Sequence, residues 1–591
     1  MKTKLGLILS TALLAMALPT NAQPPAASAQ AQGENAKVSA LADAIEQDSL
    51  ASNFSAQFRE GKRISGFVDY SLDDLARDAA KRERWKAQLA AIRADALGEV
   101  ERETYDILRF TLIETPMDEN EYWLTFDLTP YQAPMAIGFV QQVLAAHPLA
   151  TPADAADYVR LAGAYATMLE TLAAKVAAQT ARGIYLPRAA LPPIRATWTT
   201  LAASADALQP APARLSALDA ASRASLETGV RAASDGRVKP AFARIQALLG
   251  PAYEAKAPEA VGLAQYPGGK DLYRKLIHRY TTLKLTPEEI QKRGLERVAD
   301  VAGRMQAIRA QLGFTGTSRA FYDRISTDPR SLAKTPADVE ATYMRYIRAI
   351  EPKVSSYFRT QPRAPYGVKR LPPAAEPGQT FGYYSPPNAT EPRGYYNYNG
   401  SNLDKRSLIN AGTLIYHELI PGHHFQIAGQ SENEALSPFR KNYMAAAFTE
   451  GWGEYAASLG IELGLYDTPE ALYGRYINEM FLTVRLVVDS GMNYHGWSLE
   501  KARAYMREVT SLSELEIDSE SLRYSVSLPG QALAYRTGYD ALWDLRHRAE
   551  KTLGKRFDIR DFHAAVLGSG ARPLPLVEAS VDRMIAAKKG N

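Results

Sequence analysis

Cysteine is absent from all 591 residues, which excludes disulfides and every zinc site built on thiolates. Histidine is scarce, with eight in the chain, so a metal site here has few nitrogen donors to draw on. An excess of one charge is missing too. The formal net charge is +4 and falls to +2 once Lys2 and Lys4 are set aside with the leader described next. So small and evenly spread a balance argues against a nucleic-acid or membrane-surface partner. Beyond residue 22 no apolar run is long enough to span a bilayer, so no integral membrane segment is expected in the mature chain.

Residues 1–22 run from Lys2 and Lys4 through an apolar stretch, Leu5 to Leu18, to Thr20-Asn21-Ala22, the three-part pattern of a cleavable secretory signal. Cleavage after Ala22 would deliver a periplasmic or secreted protein, and no cysteine follows to carry a lipid anchor. Residues 23–36, rich in Ala, Gln, Pro and Ser, read as a flexible tether. Residues 37–260 carry long Ala- and Leu-rich stretches of helical period and are expected to form an N-terminal helical scaffold, with His147 structural. The remaining region is 261–591. It opens on the turn Tyr266-Pro267-Gly268-Gly269, with Tyr273 or His278 facing a substrate as the alternative reading. A capping box follows at Thr286 and Glu289, with Pro287 at the first helical position.

Three of the eight histidines and a carboxylate fall in His417-Glu418-Leu419-Ile420-Pro421-Gly422-His423-His424. Two histidines one helical turn apart, with a glutamate beside the first, are the device by which metallopeptidases hold zinc and place a general base next to activated water. Here Pro421 occupies the position one turn after His417. Proline offers no N–H to the carbonyl of residue 417, and glycine follows it, so an unbroken helix is excluded. In a continuous helix His424 would lie roughly 10 Å further along the axis. Pro421-Gly422 is therefore expected to form a bulge or wide turn that swings His423 or His424 back towards His417.

A helix beginning near Asp404 is expected to carry His417 and Glu418, off an apolar stripe of Leu408, Gly412, Ile415 and Leu419. A third protein ligand is sought downstream, in Thr449-Glu450-Gly451-Trp452-Gly453-Glu454-Tyr455. Two carboxylates one turn apart on an apolar helix repel each other unless something positive is near. A zinc ion bound by Glu450, with Glu454 accepting the second N–H of a ligand histidine, accounts for the pair; a solvated face is the alternative. Between Phe381 and Asn399 the Tyr-rich runs read as short strands at a sheet edge. Such an edge, carrying Tyr396 and Asn397, could hold an extended peptide by main-chain hydrogen bonds, or it could simply cover the core. Arg485 and Asp489 read as a structural ion pair, and His547 and His563 as structural.

The joint occurrence of H-E-x-x-P-G-H-H, of Glu450-Gly451-Trp452-x-x-Tyr455, of Arg523-Tyr524 and of Pro529-Gly530-Gln531-Ala532-Leu533-Ala534-Tyr535 resembles the bacterial family known as domain of unknown function 885. The resemblance covers most of the mature chain and is densest from 380 to 580. That family is related to helical zinc peptidases of the Taq carboxypeptidase, thimet and angiotensin-converting types. The resemblance implies a mainly α, zincin-like metallopeptidase fold, with a small β-sheet beside the active-site helix and two halves enclosing a long substrate channel. It implies His417, His423 and Glu450 as metal ligands and Glu418 as the base. His423 is preferred to His424, left as a neighbour of the ligands, because Gly422-His423 matches the G-H of the related peptidases. Many relatives have histidine where this chain has Asn493, which makes His495 the candidate substitute in catalysis.

The expected function is an exported, zinc-dependent peptidase acting on small peptides as a carboxypeptidase, dipeptidase or oligopeptidase. Tyr524 and Tyr535 are the candidate donors to the tetrahedral oxyanion. Arg523, with Gln531 nearby, is the candidate for a substrate carboxylate. The competing expectations are an exported peptide-binding protein without catalysis and a metal-dependent hydrolase of a non-peptide amide or ester.

Overall fold

The computed structural model describes residues 29–373, 376, 382–388 and 391–590. The leader, residues 23–28 of the expected tether and Phe381 lie outside them. The rest of the tether is not a linker. It opens helix α1 (Ala29–Ser52), whose Val38, Leu41 and Ala42 pack against Leu89, Ile107 and Leu108. The Glu34 carboxylate accepts the Arg93 N–H at 2.8 Å and the Asn35 side chain that of Gly98 at 3.0 Å. Ala and Gln are good helix formers as well as common linker residues, and here the apolar spacing beginning at Val38 tips the balance.

Helices α2 (Gln132–Ala146) and α3 (Pro152–Ala181) belong to the largest core of the N-terminal half, which runs from Ile64 to Ala257. His147 ends α2 and bonds Asp157 at 3.2 Å. Helices α4 (Gly269–Thr281) and α5 (Pro287–Gln311) follow, the latter started by the expected Thr286–Glu289 capping box. Tyr273 and His278 on α4 bond Asp489 and Glu114, so both serve the scaffold.

After α6 (Pro336–Ile350) comes a three-stranded sheet of β1 (Tyr366–Arg370), β2 (Gly382–Ser385) and β3 (Gly394–Tyr398), in the order β1-β3-β2. β3 runs parallel to β1 and antiparallel to β2. Of the two Tyr-rich runs expected at an edge, β2 is an edge strand and β3 is the central one, with the Pro-flanked β1 at the other edge. Tyr396 and Tyr398 point into the core against Tyr343, and burial of that tyrosine layer is what puts β3 in the middle.

Helix α7 (Ala411–Glu418) begins later than expected, because Leu332 and Ser407 form a bridge and the Leu408 N–H bonds Ser331. Then come α8 (His423–Glu432), α9 (Ala446–Glu462), α10 (Pro469–Asn493), α11 (Glu514–Leu522) and, after a π-helical turn over Arg523–Ser527, α12 (Leu533–Leu553). α9 and α12 cross at contact distance: a Cβ on Gly451 would stand 2.5 Å from the Gly538 backbone. Glycine at both positions lets the two backbones touch. The protein is mainly helical, with one small sheet. No helix among the described residues is long and apolar enough to cross a membrane.

Candidate metal centre

Leu419–Gly422 separate α7 from α8, so the chain breaks at Pro421-Gly422 and re-enters a helix with His423 in its first turn. Close packing shapes the break. A Cβ on Gly422 would lie 1.8 Å from the His417 carbonyl oxygen, which only glycine avoids. The Trp452 indole N–H donates to the Pro421 carbonyl at 3.0 Å, tying the turn to α9. Gly453 on α9 leaves room for the His417 ring, since a Cβ there would come within 2.8 Å of it.

These constraints bring His417 and His423 to a ring separation of 4.5 Å. The Glu450 Oε2 lies 3.6 Å from His417 Nε2 and 3.5 Å from His423 Nε2. One ligand atom from each of the three residues falls within 4.8 Å of the others. Tetrahedral bonds of about 2.0–2.1 Å set ligand atoms about 3.3–3.4 Å apart, so the three residues fit a small divalent ion with little movement. His417 Nδ1 pairs with Glu454 Oε1 at 2.8 Å, the carboxylate–imidazole arrangement that fixes the ring of a metal ligand. Glu454 is itself held by Asn478 at 3.0 Å and Arg475 at 3.1 Å. Arg475 is a positive group beside Glu454, while Glu450 faces the two imidazoles.

The local field favours positive charge. Burial works against a charged His417, yet Glu450 and Glu454 outweigh it and raise its pKa to about 10. Burial likewise opposes ionisation of Glu450, and the two histidines outweigh it, holding the carboxyl well below its usual range. Burial also pushes the Glu418 carboxyl above its ordinary value, in part offset by the histidines.

His417, Glu418, Glu454, Arg485, Arg523 and Tyr535 line one cavity of about 240 Å³, with Gly382 of β2 at its wall. Arg523 Nη2 donates to Gln531 Oε1 at 2.8 Å. The Tyr535 pKa is pushed up to about 12 by burial and the nearby Glu450, so its hydroxyl stays a donor at neutral pH. Tyr131, whose ring stacks on Arg523 at 4.9 Å, brings the N-terminal half into contact with an arginine of the cavity wall. No sequence pattern marks it, since it lies some 390 residues from Arg523 in a stretch without a motif.

Other expected site residues lie elsewhere. Tyr396 is 1% exposed and packs in the core. Asn397, its neighbour on the strand, faces the opposite side and bonds Ser385 at 2.8 Å; alternation along a strand forbids both from facing one cleft. The Tyr524 hydroxyl is fully buried, donating to Glu520 and accepting from Arg485 Nε at 2.8 Å, so it has no free proton for an oxyanion. His495 is exposed, just past the end of α10. Asn493 is buried and bonds Asp489 and the Tyr524 carbonyl, a brace without a vacancy for His495 to fill. His424 turns away from the ligands, bonding Tyr384 and the Ala364 carbonyl at 3.0 Å each, and so ties β2 to α8. Arg485 and Asp489 do not pair: Arg485 bonds Tyr524 and Glu520, and Asp489 bonds Tyr273, Asn493 and Gly530.

The fold and the three convergent side chains thus define a helical protein with a candidate His-His-Glu metal site. The chain belongs to the family described as bacterial protein of unknown function (DUF885), whose model matches residues 20–581. It is similar to a candidate lipoprotein from Colwellia psychrerythraea, at 25% identity and a TM-score of 0.85, over 94% of this chain and 100% of that one. It also resembles a candidate lipoprotein of unknown function from Shewanella oneidensis, at 18% identity and a TM-score of 0.67, over 92% and 99% of the two chains, a likeness of fold alone. Among curated proteins none matches the sequence.

Proposed function

We propose that the protein is an exported, zinc-dependent peptidase of zincin-like fold that hydrolyses small peptides. The observation that carries this reading is the placing of Glu418, an acid–base group, in the same cavity as His417 and beside the His417-His423-Glu450 triad. Two imidazoles and one carboxylate are a common catalytic zinc set, with a fourth position left over. When bound, the ion supplies a Lewis acid that activates water near neutral pH. Glu418 takes the proton of the attacking water and delivers it to the departing amine. The Tyr535 hydroxyl donates to the oxyanion. The outer side of β2, an edge of the sheet among the described residues with Gly382 bordering the cavity, offers main-chain donors and acceptors to an extended peptide.

Elemental analysis alongside hydrolysis of a mixed peptide library tests the reading. Wild type and His424→Ala are expected to carry stoichiometric zinc, His423→Ala to lose zinc and cleavage together, and Glu418→Gln to keep the metal without turnover. Tyr535→Phe should keep zinc and lower kcat about 10²–10³-fold. A wild type that takes up no divalent metal would end the proposal. Zinc binding with turnover of esters or non-peptide amides but no peptide would move it to another hydrolase class.

A further inference from the structure

Arg485 and Arg523 line the cavity together, and they share a single carboxylate. Arg485 Nη2 and Arg523 Nη1 each donate to Glu520 Oε2 at 3.3 Å, an oxygen that also accepts the Tyr524 hydroxyl. Among the described residues neither arginine has an ion pair with any other group. Glu520 is thus the one carboxylate that two guanidiniums share, and Glu418, Glu454 and Glu516 on the same cavity wall pair with neither. Both guanidiniums are poorly hydrated, because the side chains are only 4% and 12% exposed. Aromatic faces stand where water would be, with Phe481 at 4.1 Å and Tyr535 at 4.8 Å over Arg485 and Tyr131 at 4.9 Å over Arg523.

Hydrogen bonding falls short in the same place. Arg485 Nη1 and Arg523 Nε have no partner among the described residues, although almost every buried donor in a folded protein has one. Orphan donors on a buried guanidinium are costly. Their position on the wall of a cavity, beside Tyr535, calls for an acceptor that enters from that cavity.

We propose that Arg485 and Arg523 together form a carboxylate-binding subsite, which takes the α-carboxylate of a peptide's C-terminus or the side chain of an acidic residue near the cut. The proposal rests on the peptidase reading above, which puts the bond to be cleaved in the same cavity. A carboxylate supplies the missing acceptors in a planar form matched to guanidinium edges, with a charge opposite to theirs.

The test uses short peptides in matched pairs: free acid against C-terminal amide, and, among the amides, Asp or Glu against Asn or Gln. kcat/KM is measured for zinc-loaded wild type and Arg523→Gln, and calorimetry follows binding of the same peptides to Glu418→Gln. Free acids are expected to exceed amides by about 10- to 100-fold, the range of a charged hydrogen bond. The preference should collapse in Arg523→Gln with zinc content unchanged. Amides restored by Asp or Glu would identify the side-chain carboxylate as the ligand. Equal turnover and equal binding of acids, acidic amides and neutral amides by wild type and by Glu418→Gln would overturn the subsite. Should no peptide be hydrolysed, the peptidase reading fails, and the acid-against-amide difference in binding still decides this one.

Discussion

Glu454 and Asp489 are both buried, at 2% and 0% exposure, yet their surroundings differ. Glu454 faces the Arg475 guanidinium and the His417 imidazole; against the opposing effect of burial these hold its carboxyl well below the usual range. Asp489 receives comparable hydrogen bonds, from the Tyr273 hydroxyl at 2.7 Å, the Asn493 amide at 3.1 Å and the Gly530 N–H at 3.1 Å, but every one of these donors is neutral. Burial dominates there and raises its pKa to about 7. Hydrogen-bond count alone does not keep a buried carboxylate ionised; a compensating charge does. Glu454 is held by charge, and Asp489 by a proton that can leave.

The comparison breaks most visibly at Glu454. Glu454→Gln takes from the fully buried Arg475 the nearer of its two carboxylates, leaving Glu479 at 3.8 Å, and is expected to cost about 3 kcal/mol of stability. It should also weaken zinc binding about 10- to 100-fold through the loosened His417 ring. Denaturant titration and metal competition read the two effects separately, and an unchanged zinc affinity would detach Glu454 from the site.

The next effect is a pH dependence. The pKa of Asp489 is raised on folding, from the ordinary value of 3.8 to about 7, so the folded state holds the proton more tightly. Its contribution is fully present below about pH 4 and declines as the pH rises to about 7, by up to about 4 kcal/mol. The denaturation midpoint of wild type, less that of Asp489→Asn, should fall across this window. Parallel profiles would show that Asp489 does not titrate there.

The smallest effect sharpens the same point. Tyr273→Phe removes a donor that favours the ionised Asp489, at about 1 kcal/mol. The falling profile should then extend to higher pH. A shift to lower pH would mean that Tyr273 favours the protonated form.

Much of this was legible in the residues. The break at Pro421-Gly422, the clustering of His417, Glu418 and His423, and the capping box at Thr286 depend on neighbours in the chain, and the structure carries all of them. What misled was of another kind. Tyr396 and Asn397 were grouped by composition, but they alternate across a strand whose central place depends on a β1 that no Tyr-rich pattern announces. Tyr524 and Tyr535 lie in one motif-rich stretch, and the π-helical turn at Arg523–Ser527 decides which hydroxyl is spent in the wall and which borders the cavity. Arg485 and Asp489 have the spacing of a helical ion pair, yet each finds a partner from another element.

By itself the sequence determined the mainly helical character, where several helices begin and break, and which few side chains could bind a metal, because φ/ψ limits, capping and donor chemistry act over a few residues. Only the tertiary structure decided that Glu450 reaches both histidines, that Tyr131 of the distant N-terminal half meets Arg523, and that two arginines share Glu520. Those facts depend on how closely backbones approach, as at Gly451 and Gly538, and on how buried charges are matched across elements far apart in the chain.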